Sequence, residues 1–156
     1  MSQTEIHEYE ARLEWEGNLG SGTAEYAAYS RRFRVSIAGK PDLIGSADPH
    51  FRGDEDKHNP EELLVAALSS CHMLSYLALC ARRRISVLEY DDAARGLMRT
   101  TADGGGRFES VTLSPRVRIA DSSRAAEAMA LHEEAHRLCF IASSCNFPVS
   151  VSAELR

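Results

Sequence analysis

Four cysteines, Cys71, Cys80, Cys139 and Cys145, are the residues of this 156-residue chain best able to carry covalent chemistry. A thiolate is a nucleophile that oxidants convert to a sulfenic acid, and a second thiol then converts that acid to a disulfide. Cys71 sits in an apolar stretch beside a short polar patch, Ser69, Ser70, His72 and Ser75. By position alone such a thiol reads as a small apolar core side chain. Cys139 stands near the end of a second helical stretch, next to a polar loop, where a thiol is better placed to move and react. Cys145, in that loop, could serve the same purpose. Cys80 lies about 13 Å beyond Cys71 on an ideal helical rise, so the two cannot bond within one helix and Cys80 reads as core. A reactive thiolate also needs a cation nearby to lower its pKa. Arg52, in Phe51-Arg52-Gly53-Asp54, and Arg31 are the candidates.

A second constellation is His132-Glu133-Glu134-Ala135-His136, which matches H-E-x-x-H. In that motif two histidines on one helix face bind zinc and the glutamate is the base. Cys139, seven residues after His132, could complete a three-ligand face. This gives a zinc hydrolase as the lesser alternative to thiol chemistry.

The elements that must position these residues are legible in the spacing. Tyr9, Ala11, Leu13 and Trp15 alternate with charged residues, the period of a half-buried strand, and Gly17 to Gly22 form a glycine-rich turn. Phe33, Val35 and Ile37 alternate again, and Gly45 to His58 reads as a loop. Asn59-Pro60-Glu61-Glu62 supplies an N-cap, a proline at the first helical position and the far end of a capping box. The helix expected from about Pro60 to Arg82 is apolar nearly all round, which predicts burial on every side. A strand over Ile85 to Thr100, a hairpin tip at Gly104 to Gly106 and a strand over Val111 to Ile119 follow. A second helix over Arg124 to about Ile141 comes next, and the chain ends in a strand from Val149 to Leu155. The expectation is a single α+β domain over residues 1–156, with antiparallel strands.

A formal charge of -5 and a pI near 5.7 argue against nucleic acid or a membrane surface as partner, since both need clustered Lys and Arg. With 44% hydrophobic residues the chain can build a core around a small apolar substrate. No secretory signal is visible in Met1 to Trp15, and no apolar run reads as long enough to span a bilayer. The expected compartment is the cytoplasm, where thiols are kept reduced and any disulfide is transient.

Taken together, Asn59-Pro60-Glu61-Glu62-Leu63-Leu64, Ser69-Ser70-Cys71 and His136-Arg137-Leu138-Cys139 resemble the two signature regions of the OsmC/Ohr family. The spacing from Glu61 to Cys71 is the family's, and Trp15-Glu16-Gly17 is similar to its N-terminal hairpin. The resemblance implies an OsmC-like fold, with a long buried central helix and intertwined dimers. It implies reduction of organic hydroperoxides by Cys71, a sulfenic acid, and a Cys71–Cys139 disulfide opened by a dithiol reductant of the lipoyl type, with no cofactor. Cys145 remains open as an alternative resolving thiol. The resemblance also implies an activating arginine and glutamate: Glu61 carries over directly, and Arg52 is preferred over Arg31. Ten residues separate Glu61 from Cys71, about 15 Å on one helix, so Glu61 is expected to act across a subunit interface. A non-catalytic stress-response or small-ligand-binding protein of the same fold is the other alternative.

Overall fold

Asn59 starts the long helix as its residue type requires. In a computed structural model, which describes residues 4–156, α1 runs Pro60–Arg82. The Asn59 side-chain oxygen accepts from the Glu62 backbone N–H at 2.9 Å, and the Glu62 carboxylate accepts from the Asn59 N–H at 3.3 Å. This is the reciprocal capping box that the sequence announces. The chain forms two compact units, one ending at Leu63 and one spanning Leu64–Arg156.

In the first unit β1 (Arg12–Trp15), β2 (Phe33–Ser36) and β3 (Leu43–Gly45) form an antiparallel sheet in that order. β1 is shorter than the alternation suggested and is exposed along its whole length rather than half-buried. Among the described residues its only strand partner is the four-residue β2. β3 and a 3₁₀ turn at Pro49–Phe51 lie where the sequence suggested little regular structure. Gly17 is required by close approach, since a Cβ there would lie 1.8 Å from the Ser30 carbonyl oxygen.

In the second unit, three stretches that read as single strands each divide between two sheets. Ile85 to Thr100 becomes β4 (Val87–Asp92) and β5 (Arg95–Thr100). The next stretch becomes β6 (Gly106–Leu113) and β7 (Pro115–Ile119), and the last becomes β8 (Val149–Val151) and β9 (Glu154–Leu155). One sheet has the order β4-β7-β9 and the other β5-β6-β8. Asp92 anchors this bend: its carboxylate accepts from the Ser114 backbone N–H at 2.6 Å and from the Ser69 hydroxyl of α1 at 2.5 Å. Alternation alone does not reveal such a change of sheet, because inward and outward positions continue through the bend. β6–β8 and β7–β9 pair in parallel, contrary to the all-antiparallel expectation. The cause is α2 (Ala125–Leu138), whose crossover returns the chain in the same direction.

The core of this unit joins Tyr76, Leu79 and Cys80 of α1 to Leu131 and Ala135 of α2 and Val117 of β7. A second cluster places Leu68 against Val111 and Leu113. The buried residues of α1, Leu68, His72, Tyr76, Leu79 and Cys80, mark one face. Within the single chain the opposite face is open: Leu74, across the helix, is 62% exposed. By length and composition α1 is also apolar enough to cross a membrane, which corrects the reading that no run is so long. The cap gives a direct test of the helix start. Asn59→Ala should cost about 1 kcal/mol in urea unfolding, whereas Asn59→Asp should retain most of the stability.

Candidate functional site

Cys71 lies near the middle of α1 and is half-buried. Cys139, 1% exposed, is where α2 ends, because its backbone turns extended at φ -71°, ψ 110°. The same residue caps the short helix α3 (Phe140–Ser143), and its Sγ accepts from the Ala142 N–H at 3.4 Å. The second helix of the sequence reading is therefore two helices with a break at Cys139. That break turns the thiol inward. Burial pushes the Cys139 thiol up to about 11, and the neighbouring Cys71 thiol raises it further. The structure thus brings Cys71 and Cys139 together. Cys145 instead donates to the Ile141 carbonyl at 3.2 Å and packs beside the Leu68, Val111 and Leu113 cluster. Cys80, 1% exposed, belongs to the core as expected.

The first unit holds a pocket of about 390 Å³ whose lining includes Trp15, Tyr29, Arg31, Phe33, Phe51 and Glu61. Arg31 is fixed there by backbone and ring contacts. Its guanidinium donates to the Tyr29 carbonyl at 2.6 Å and the Tyr26 carbonyl at 2.5 Å. It also lies 3.9 Å from the Tyr29 ring centroid and 4.4 Å from that of Tyr26, within cation–π range. Arg52 is exposed, takes a left-handed backbone at φ 65°, and closes the 3₁₀ turn by donating its backbone N–H to Pro49. The arginine that shares a pocket with Glu61 is therefore Arg31, and Arg52, the arginine preferred from the sequence, is not part of that lining.

The H-E-x-x-H stretch does not build a zincin site. His132 is buried at 4% exposure, and its Nδ1 lies 3.0 Å from Nε2 of the fully buried His72. Tyr76 stacks on the His132 ring at 3.9 Å between centroids. Burial is the main cause that lowers both histidines to about 4, and each is lowered further by another histidine, His72 by His136 and His132 by His72. Cys139 is engaged with Cys71. Among the described residues no three His, Cys, Asp or Glu side chains converge as metal ligands. The His72–His132 pair escaped the sequence reading because its members are 60 positions apart and belong to different helices.

Comparison with known proteins places these features. The sequence matches the OsmC-like protein family over residues 53–154, which includes α1, Cys71, Cys139 and strands β4 to β8. An OsmC-like protein of unknown function from Vibrio cholerae has the same fold with a TM-score of 0.85 and 32% identity, covering 96% of this chain and 100% of that one. An organic hydroperoxide resistance protein from Elizabethkingia anophelis matches with a TM-score of 0.70 and 19% identity, over 98% of each chain. The organic hydroperoxide resistance protein OhrB of Bacillus subtilis matches with a TM-score of 0.60 and 20% identity, over 95% of this chain and 98% of that one. At these identities the last two show the fold alone. No curated protein sequence matches the chain. The family match and the Vibrio relative together establish that this chain belongs to the OsmC-like family.

Proposed function

We propose that this protein is a thiol-dependent peroxidase that reduces organic hydroperoxides, on the strength of the proximity of Cys71 to Cys139. The Cys71 thiolate attacks one peroxide oxygen, the O–O bond breaks, and the alkoxide leaves as an alcohol after taking a proton. Cys71 becomes a sulfenic acid. The Cys139 sulfur then attacks the Cys71 sulfur, and the departing hydroxide takes the Cys139 proton to leave as water. A dithiol reductant of the lipoyl type opens the resulting disulfide by exchange and is itself oxidised.

The raised Cys139 thiol supports this division of labour. A buried, protonated thiol is a poor first nucleophile, but it is placed to capture an oxidised neighbour. An arginine and Glu61 activate Cys71, with Arg31 favoured over Arg52 because it lines the pocket that Glu61 lines. Glu61 is about 15 Å from Cys71 along one helix. That separation and the open apolar face of α1 support a homodimer in which the second subunit supplies the pair. The aromatic lining of the Arg31 pocket supports apolar substrates, since each buried CH₂ is worth about 0.8 kcal/mol. The membership of hydroperoxide resistance proteins in the same fold class agrees with this reading, under which the protein works in the cytoplasm, where its thiols are kept reduced.

One equivalent of cumene hydroperoxide should yield a single disulfide that peptide mapping assigns to Cys71 and Cys139; a Cys71–Cys145 link, or no disulfide at all, would overturn the reading. A non-catalytic binding protein would give the latter result. Arg31→Gln should slow the oxidation of Cys71 about tenfold or more through loss of a nearby cation, while Arg52→Gln should change it little. Equal loss in both would return Arg52 to the site. Alkylation of Cys139 by iodoacetamide should keep accelerating with pH toward about 11, since its thiolate forms only there. A plateau near the ordinary thiol value of about 8.5 would contradict its burial against Cys71.

A further inference from the structure

Helix α2 carries buried nitrogen atoms that the thiol site does not use. His132 is 4% exposed, and its Nε2, the ring nitrogen opposite the one facing His72, has no hydrogen-bond partner. Nδ1 of His136, one turn later, is also buried without a partner. Both residues line a pocket of about 320 Å³ with Met129 and Glu133. Met129, His132 and His136 stand at i, i+3 and i+7 and so share one helix face. A buried nitrogen without a partner is unfavourable unless something satisfies it, and a metal ion is one such ligand.

We propose that Met129, His132 and His136 form a binding site for a soft monovalent metal ion, Cu(I), held by one thioether and two imidazole nitrogens. The donor set selects the metal. Zinc sites take three or four His, Cys or carboxylate ligands, and among the described residues no three of these converge. The third donor here is a thioether, which favours Cu(I) over harder divalent ions. Met129 is 36% exposed, at the pocket mouth, where an ion can enter.

His72 supplies the support that a ligating histidine needs. When His132 donates its Nδ1–H to Nε2 of His72, the lone pair of His132 Nε2 is left free for the metal. Either tautomer leaves one buried N–H without an acceptor, His72 Nδ1 in this arrangement and His132 Nε2 in the reverse one, and only this arrangement frees the His132 nitrogen for an ion. Metal binding therefore selects the first arrangement. None of the donors is a thiol, so the site stands apart from the peroxidase reading.

The test is an anaerobic titration of Cu(I) against bicinchoninate. It uses protein carrying Cys71→Ser, Cys139→Ser and Cys145→Ser, so that accessible thiolates do not compete. One Cu(I) per chain is expected, with His136→Gln and Met129→Leu each weakening binding about tenfold or more and zinc failing to displace the ion. Absence of Cu(I) binding, unchanged affinity in both variants, or displacement by equimolar zinc would overturn the proposal. Should either variant fail to fold by circular dichroism, X-ray absorption of the His136-intact protein decides. Two nitrogens and one sulfur around copper support the site, and a shell without sulfur refutes it.

Discussion

The proximity of Cys71 to Cys139 depends on two helices meeting at one depth and on one of them ending at one residue. α1 and α2 are packed through Tyr76, Leu79, Leu131 and Ala135, with His132 stacked on Tyr76 and bonded to His72. This buried layer fixes the spacing of the helices beside Cys71. The extended backbone at Cys139 then turns a residue that would otherwise continue α2 into the cap of α3, with its thiol directed inward. Were α2 to run on unbroken to Ile141, Cys139 would keep a helical backbone and lose its capping bond to Ala142.

The sheets serve this arrangement at one remove. Asp92 ties the Ser69 hydroxyl of α1 to the backbone at the point where the strands change sheet. Ser69 precedes Cys71 by half a turn, so the polar patch that singled out Cys71 in the sequence is in part an anchoring patch. Ser70, by contrast, bonds back to the Ala66 carbonyl of its own helix. The patch thus marks the site without forming its chemistry.

Local signals were legible wherever the chemistry is local. Asn59, Pro60 and Glu62 start a helix by bonds that span three residues, and the structure contains those bonds. The family signature placed Cys71 inside the first helix and Cys139 near the end of the second, and the structure has them in α1 and at the C-terminus of α2. What escaped was what only the tertiary fold decides. The bends at Asp92 and Ser114 leave alternation intact, so three pairs of strands read as three strands. The parallel pairing of β8 and β9 follows from the crossover of α2. Arg31 acquires its place through the carbonyls of Tyr26 and Tyr29, whereas Arg52 was preferred on sequence spacing and lies exposed at a turn. The apolar character of α1 was correct in composition, yet only one face is buried within the chain.

The central claim is that Cys71 is the nucleophile toward organic hydroperoxides. The most direct measurement is stopped-flow consumption of cumene hydroperoxide by pre-reduced protein without added reductant, compared with Cys71→Ser and with hydrogen peroxide as substrate. The account predicts that one equivalent is consumed rapidly by the native protein, that Cys71→Ser consumes none on that timescale, and that hydrogen peroxide reacts more slowly than cumene hydroperoxide at equal concentration. Equal consumption by the native protein and Cys71→Ser would contradict it.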